Sequence, residues 1–431
     1  MAAALARGDY DLEALELAVR HAALGQAAEA LGEFMSVVGR PDRETPVTCA
    51  RCRVPMRGTG PRTKRILTML GEVVYTRSRY ECPQCGAVRY PSDGVLDLVG
   101  TSRSPGVRRQ AARLGAKEPF HEVAEDLEEL AGIRISRKDT ERIAEGIGED
   151  PEQRDRRERE RTRFQPPPGI DTPKTIETFY IEADGTGVPM VPWELPGRRG
   201  KQPDGSAKTR EVKVGCVFTQ TTLDGQARPV RDPASTVYTG AIEDAAAFGW
   251  RLYALAVQQG LFQARRVVVL GDGAEWIKNL VQTHFPMAQF IIDFYHAKEH
   301  VAALCQTLFL RPAESARYRE QWWDLLGQGH IETLLEQAGA YLPTNPQENK
   351  DARRALQYFN KNKEHMRYAD FRSQHLFIGS GVIEAACKNL VGKRLKQSAM
   401  EWTVRGANAI VALRCATLSR RFQDYWDARA A

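Results

Sequence analysis

The chain has 431 residues, 42% of them apolar, enough for roughly two to three domains with ordinary hydrophobic cores. No run approaches the ~18 consecutive apolar residues of a membrane span, and MAAALARGDYDLEAL has no apolar signal core before its first acids, so a cytoplasmic protein with no membrane partner is expected. The net charge of +6 is unevenly placed, because residues 49–80 and 388–421 each carry eight Lys/Arg and one acid, which suggests a polyanionic partner.

In chain order, residues 10–40 are rich in Ala and Leu with apolar positions three and four apart, which predicts a helix ended by Gly39 and Pro41. Residues 45–100 predict short strands held between VTCARC and YECPQCG. Residues 105–148 predict helices: Phe120, Val123, Ala124, Leu127 and Leu130 form one stripe, Gly132 breaks it, and Ser136 caps the next helix, a helix-turn-helix-like pattern. Residues 149–174 are charge-dense and end in three prolines, predicting a linker, either extended or a short exposed helix running into extended chain, with a boundary near 165. Strands then follow in TIETFYIEADGTG and EVKVGCVFTQTT, and two strand-to-helix steps in RRVVVLGDGAEWIKNLV and AQFIIDFYHAKEHVAALC. From 297 to about 370 no strand is expected, and GSGVIEAACKNLVGKRL opens a further helix. The resulting expectation is an α/β domain interrupted by a helical insertion.

Cys49, Cys52, Cys82 and Cys85 form two CxxC pairs with 29 residues between them. Four thiolates suit a closed, structural tetrahedral zinc site. Cys216, Cys305, Cys387 and Cys415 lie among apolar neighbours and are expected to be reduced core thiols. Asp184 follows the apolar strand FYIEA, and Asp272 follows RVVVL. Carboxyl ends of strands are where α/β sheets bind ligands, and two carboxylates brought together there can hold divalent metals. Glu384, in the first turn of a helix behind Ser380 and Gly381, is the third candidate. Each acid alone also fits a local role: Asp184 as a turn former, Asp272 in an Asx turn, Glu384 as a helix-start acid paired with Lys388.

The order Asp, Asp, helical insertion, Glu resembles the layout of DDE transposases with an RNase H-like core. Asp293, two residues, then His296 in DFYHA resembles the signature after the second Asp in Mutator-like transposases. IEADGTGVPM, LGDGAEWIKN, DFYHAKEHV and GSGVIEAACKNLVGKRLKQSAMEWT resemble bacterial insertion-sequence transposases of the Kra group, over residues 175–420 and extending to the zinc ribbon. The resemblance implies a DDE transposase that binds element ends and performs metal-dependent cleavage and strand transfer on double-stranded DNA, working as a homodimer or larger assembly. Hard oxygen ligands select a magnesium or manganese pair, with Asp184 bridging the two ions and Asp272 and Glu384 each completing one. Asp293 and His296 would support that site, and an insertion Trp, Trp322 or Trp323, could contact bases.

The implied architecture is an N-terminal helical region (1–44), a zinc ribbon (45–100), a helix-turn-helix-like region (101–150) and a linker (151–174). An RNase H-like core follows in two parts, 175–300 and 376–431, around a helical insertion (301–375). Arg137, Lys138 and Arg142 are the recognition-helix candidates for DNA, and Lys393, Arg394 and Lys396 the backbone-contact candidates. Two rival readings exist. ExDGT at 182–186 and GDGxxW at 271–276 echo haloacid dehalogenase motifs, but Glu182 stands at the nucleophile position and Trp276 at the final acid. A non-catalytic DNA-binding protein derived from a transposase is the other, although all three acids are present.

Overall fold

The computed structural model describes residues 11–40, 46–165, 173–200, 202–343, 345 and 349–430, the side chains of 429 and 430 excepted. Residues 1–10, Pro41 and the prolines 166–168 of the expected linker lie outside the described residues. The chain forms two compact units, residues 1–147 with 424–431, and residues 148–423.

The first unit starts with helix α1, Leu12–Val38, capped by the Asp11 side chain on the Glu13 amide. Strands β1 (Arg57–Thr68) and β2 (Gly71–Glu81) form a hairpin, and β3 (Val88–Arg89) adds to the end of β2. Ala28 and Met35 of α1 pack with Ile66, Val73, Tyr75 and Leu98. The short helix α2 (Pro91–Val95) supplies Asp93, which accepts from Lys64 at 3.0 Å and Tyr75 at 2.9 Å and also pairs with Arg77. Helices α3 (Pro105–Gly115) and α4 (Phe120–Ala131) and the start of α5 (Arg137–Phe164) surround a second core of Val107, Ala111, Val123, Leu127, Ile133 and Ile135. Gly132 ends α4 at φ +69°, and the Ser136 hydroxyl accepts from the Asp139 amide at the start of α5, as the sequence predicts.

The second unit is built on a five-stranded mixed sheet. Its strands are β4 (Ile176–Pro189), β5 (Thr209–Gln220), β8 (Val237–Ala241), β9 (Ala264–Gly271) and β10 (Gln289–Ile292), with a small β6–β7 pair (Thr222–Leu223, Pro229–Val230) apart from it. The order is β10-β9-β4-β5-β8; β10, β9 and β4 run parallel, while β5 is antiparallel to β4 and β8. Residues 178–183 of β4 are buried without alternation, as a central strand covered on both faces must be. Helices α6 (Ala245–Gln258) and α7 (Glu275–His284) flank the sheet sequence. A wholly helical stretch follows β10: α8 (Phe294–Leu308), α9 (Pro312–Gly327), α10 (Ile331–Ala340), α11 (Lys350–Asn362) and α12 (Tyr368–Ser373). Helix α13 (Gly381–Ala386) continues through a π-helical turn (Cys387–Gly392) into α14 (Lys393–Leu395), and α15 (Val404–Leu418) packs on β8.

Of the two forms expected for the charged segment, the helix is the one found over 149–164: α5 runs to Phe164 through Pro151, and the compact units divide at 147/148. Its charges pair along the helix, Arg156 with Glu160 at 3.4 Å and Arg161 with Glu158 at 3.9 Å. Arg251 is 3% exposed and binds Glu152 of α5 at 2.8 Å and Glu243 at 2.6 Å. Among the described residues, no helix is long and apolar enough to cross a membrane.

Candidate active site

Parallel register sets the level of the first two acids. Glu182 of β4 pairs with Leu270 of β9, so two residues further along each strand Asp184 stands level with Asp272 on one face. The Asp184 carboxylate accepts from the Gly185 amide at 2.6 Å and from the Cys387 thiol at 3.3 Å. Burial raises its pKa, and the neighbouring Asp272 charge raises it further. The Asp272 carboxylate turns back onto the Ala274 amide at 2.8 Å, which fits the Asx turn, and Gly273 takes φ +82°, a conformation that excludes most side chains.

Glu384 is exposed in the first turn of α13. Asp293 and Glu182 hold the start of that helix. Asp293, 1% exposed, accepts from the His296 amide at 2.6 Å through Oδ1; its Oδ2 accepts from the Ser380 amide at 2.5 Å and hydroxyl at 3.0 Å. Glu182 is fully buried, and its Oε2 accepts from the Ile383 amide at 2.7 Å. Burial pushes its pKa up to about 8, against the lowering effect of that amide.

Asp184, Asp272, Asp293, His296 and Glu384 line one cleft of about 1100 Å³, with Tyr295, Arg228 and Arg372 also in its wall. Among the described residues, the four cysteines are the one set of three or more His, Cys, Asp or Glu side chains whose ligand atoms lie within 4.8 Å of one another. The three acids therefore face a shared cleft without gathering on a single point.

In the first unit Cys49, Cys52, Cys82 and Cys85 could hold a metal ion such as zinc. The two CxxC turns share one geometry. The Cys49 carbonyl accepts from the Arg53 amide and the Cys82 carbonyl from the Gly86 amide, and Arg53 and Gly86 both take positive φ, +59° and +68°. Cys49 and Cys85 sulfurs are 3.8 Å apart, the spacing expected of a tetrahedron with ~2.3 Å arms. Hydrogen bonds from the Cys52 and Arg51 amides hold the Cys49 pKa down to about 7.

The basic candidates divide. Arg137, Lys138 and Arg142 are exposed on α5, with Lys138 bonded to Glu141 at 2.7 Å and Arg142 at 4.0 Å from Asp139. Lys393 and Lys396 are exposed, Lys396 bonding the Thr186 hydroxyl. Arg394 is a correction: it is fully buried, its guanidinium 5.1 Å from the Trp402 ring centroid, and cannot reach DNA. Of the two adjacent tryptophans, Trp322 is the core residue, fully buried with its indole N–H on Gln337. Trp323 is half-buried between Lys298 and Arg319, with its indole N–H on the Lys298 carbonyl. Cys216, Cys305 and Cys415 are buried free thiols as expected; Cys387 is also free, half-buried, with its thiol on Asp184. The sequence reading missed Cys387 and Glu182, although Glu182 lies two residues before Asp184 and so shares its face of β4.

Residues 256–422 match the Uncharacterised protein family (UPF0236). Two UPF0236 proteins of Caldanaerobacter subterraneus subsp. tengcongensis are 22% and 21% identical over 366 residues, 81% of this chain and 67% of each relative. The name of the first carries eleven locus designations and that of the second four. Among solved structures, the Drosophila P element transposase strand transfer complex aligns over 78% of this chain and 83% of its own, at 10% identity and a TM-score of 0.25, too low to assign a fold.

Proposed function

We propose that this protein is a DDE transposase of a bacterial insertion sequence, with a catalytic core of RNase H-like type. The observation that carries the reading is the shared cleft: Asp184, Asp272 and Glu384, separated by 88 and 112 residues, line one cavity, Asp184 from within β4 and Asp272 from just past the end of β9. Carboxylates facing one cleft are the donor set for magnesium or manganese. The metal pair would supply an activated water or DNA 3′-hydroxyl and stabilise the leaving oxygen. Asp184 would bind both ions, Asp272 and Glu384 one each. Asp293 and His296 would act around them, Asp293 by clasping Ser380 to the start of α8. The mixed sheet, interrupted after β10 by a helical insertion before Glu384, is the architecture the resemblance implies.

The relatives add support of a different kind. A protein named for eleven loci of one genome has the multiplicity that a self-copying element leaves behind. The haloacid dehalogenase reading needs a reachable nucleophile at position 182, and Glu182 is fully buried. In this reading the four cysteines bind zinc and hold the β1–β2 hairpin, whose exposed Arg57, Arg62 and Arg65 face solvent. Arg137, Lys138, Arg142, Lys393 and Lys396 contact DNA. Joining two element ends calls for at least two copies of the chain.

The test is strand transfer with magnesium on DNA carrying the sequences that flank the protein's own coding region. Asp184→Asn, Asp272→Asn and Glu384→Gln should each reduce product at least ~100-fold, the upper range already reached when residues behind metal ligands are lost. Variants that retain wild-type transfer would remove the assignment.

A further inference from the structure

We propose that Glu182 is a positioning residue that seats Glu384 against Asp184; this deepens the proposed metal chemistry and rests on it. Glu182 Oε2 accepts from the Ile383 amide at 2.7 Å, while Oε1 is buried with no hydrogen-bond partner. Oε2 also accepts from the Cys216 thiol at 4.0 Å; burying a carboxyl group with so few hydrogen bonds is costly, and an aliphatic side chain would fill the space without that cost. What the carboxylate supplies is a cap. Helix α13 begins at Gly381, and first-turn amides have no partner within a helix. Ser380, the residue before it, does not cap the helix because its hydroxyl is turned to Asp293. The strand next door provides the acceptor instead. Glu182 and Asp184 stand two apart on one face of β4, and Ile383 immediately precedes Glu384. The strand bearing the first acid thus holds the helix bearing the third. One turn later the Cys387 thiol donates to Asp184 at 3.3 Å, from the start of the π-helical turn, a second tie between the same two elements.

The experiment is Mn²⁺ binding, followed by the paramagnetic resonance of free Mn²⁺, on the full chain as wild type, Glu182→Gln, Glu182→Leu and Glu384→Gln, each with a melting curve. Glutamine keeps an acceptor for the Ile383 amide, so Glu182→Gln should bind as wild type does. Glu182→Leu should fold yet bind ~10-fold more weakly or worse, as Glu384→Gln does, because lost supporting contacts typically cost that much affinity. A folded Glu182→Leu protein with wild-type affinity overturns the inference alone, as does a folded Glu182→Gln protein as weak as Glu384→Gln. Wild type that binds no Mn²⁺ overturns the proposed function and this inference with it. Should Glu182→Leu fail to fold, hydrogen exchange of the wild type decides: an Ile383 amide protected well beyond that of Val382 supports the cap, and equal rates overturn it.

Discussion

His284 closes helix α7 against an aromatic cluster, its ring 4.8 Å from that of Trp250 and 5.9 Å from that of Tyr253. Gly249 makes room for it, since a Cβ there would lie 2.5 Å from His284 Nε2. Burial lowers the pKa of His284 from its ordinary 6.5, and burial likewise lowers those of His300 and His365 in the same unit. The folded state then binds fewer protons than the unfolded chain, so their contribution to stability is intact above 6.5 and is lost as pH falls below it, until the folded values are passed. Glu182, with its pKa raised to about 8, acts in the opposite sense in the same unit, so the histidine effect is read as a difference: from pH 7.5 to pH 5.5 the melting temperature of the wild type should fall relative to that of His284→Gln. An identical slope would show that His284 does not contribute. The same physics explains what was legible at the residue scale. Asp184 and Asp272 announce themselves as acids at the ends of apolar strands. Glu182 sits inside such a strand, and nothing in the residue string shows that it is sealed from solvent with one amide to hold. Arg394 fails for the same reason, because KRLK reads as a basic run while the helix turn sends one of its members into the core.

At the scale of elements, the long strongly patterned segments were readable and the short or unpatterned ones were not. α1, the β1–β2 hairpin, β4, β5, β9 and the α4–α5 pair follow from periodicity and caps. β8 has only five residues and no alternation to report, and the end of α5 has no apolar stripe, being held by ion pairs and by Arg251. The two CxxC turns are the element where local and distant order meet. The hairpin joins them, and the hydrophobic packing around them is thin, with Cys49, Met56 and Cys82 the buried members of a small cluster. A core this small would be strengthened by a metal held at the four cysteines. The purified protein should carry about one zinc for this site, and Cys82→Ser should lose it. Calorimetry should then show the ribbon's transition lost or lowered and the transition of the second unit unchanged. Full zinc occupancy in Cys82→Ser, or loss of both transitions together, would contradict this division.

For the whole molecule, the two units divide the work that the account requires. The first offers the four-cysteine ribbon and the exposed arginines and lysines of the hairpin and α5; the second offers an acid-lined cleft and the exposed Lys393 and Lys396. The excess of +6 is small, but its concentration in two stretches gives each unit a basic segment for a polyanion. All else depends on whether the cleft binds a metal pair. The most direct measurement is a crystal of the intact protein soaked in Mn²⁺, with anomalous scattering locating the ions. The account predicts two peaks ~3.5–4 Å apart, both touching Asp184, one also touching Asp272 and the other Glu384. No peak at Asp184 under Mn²⁺ concentrations that support strand transfer, or peaks bound only by other residues, would contradict it.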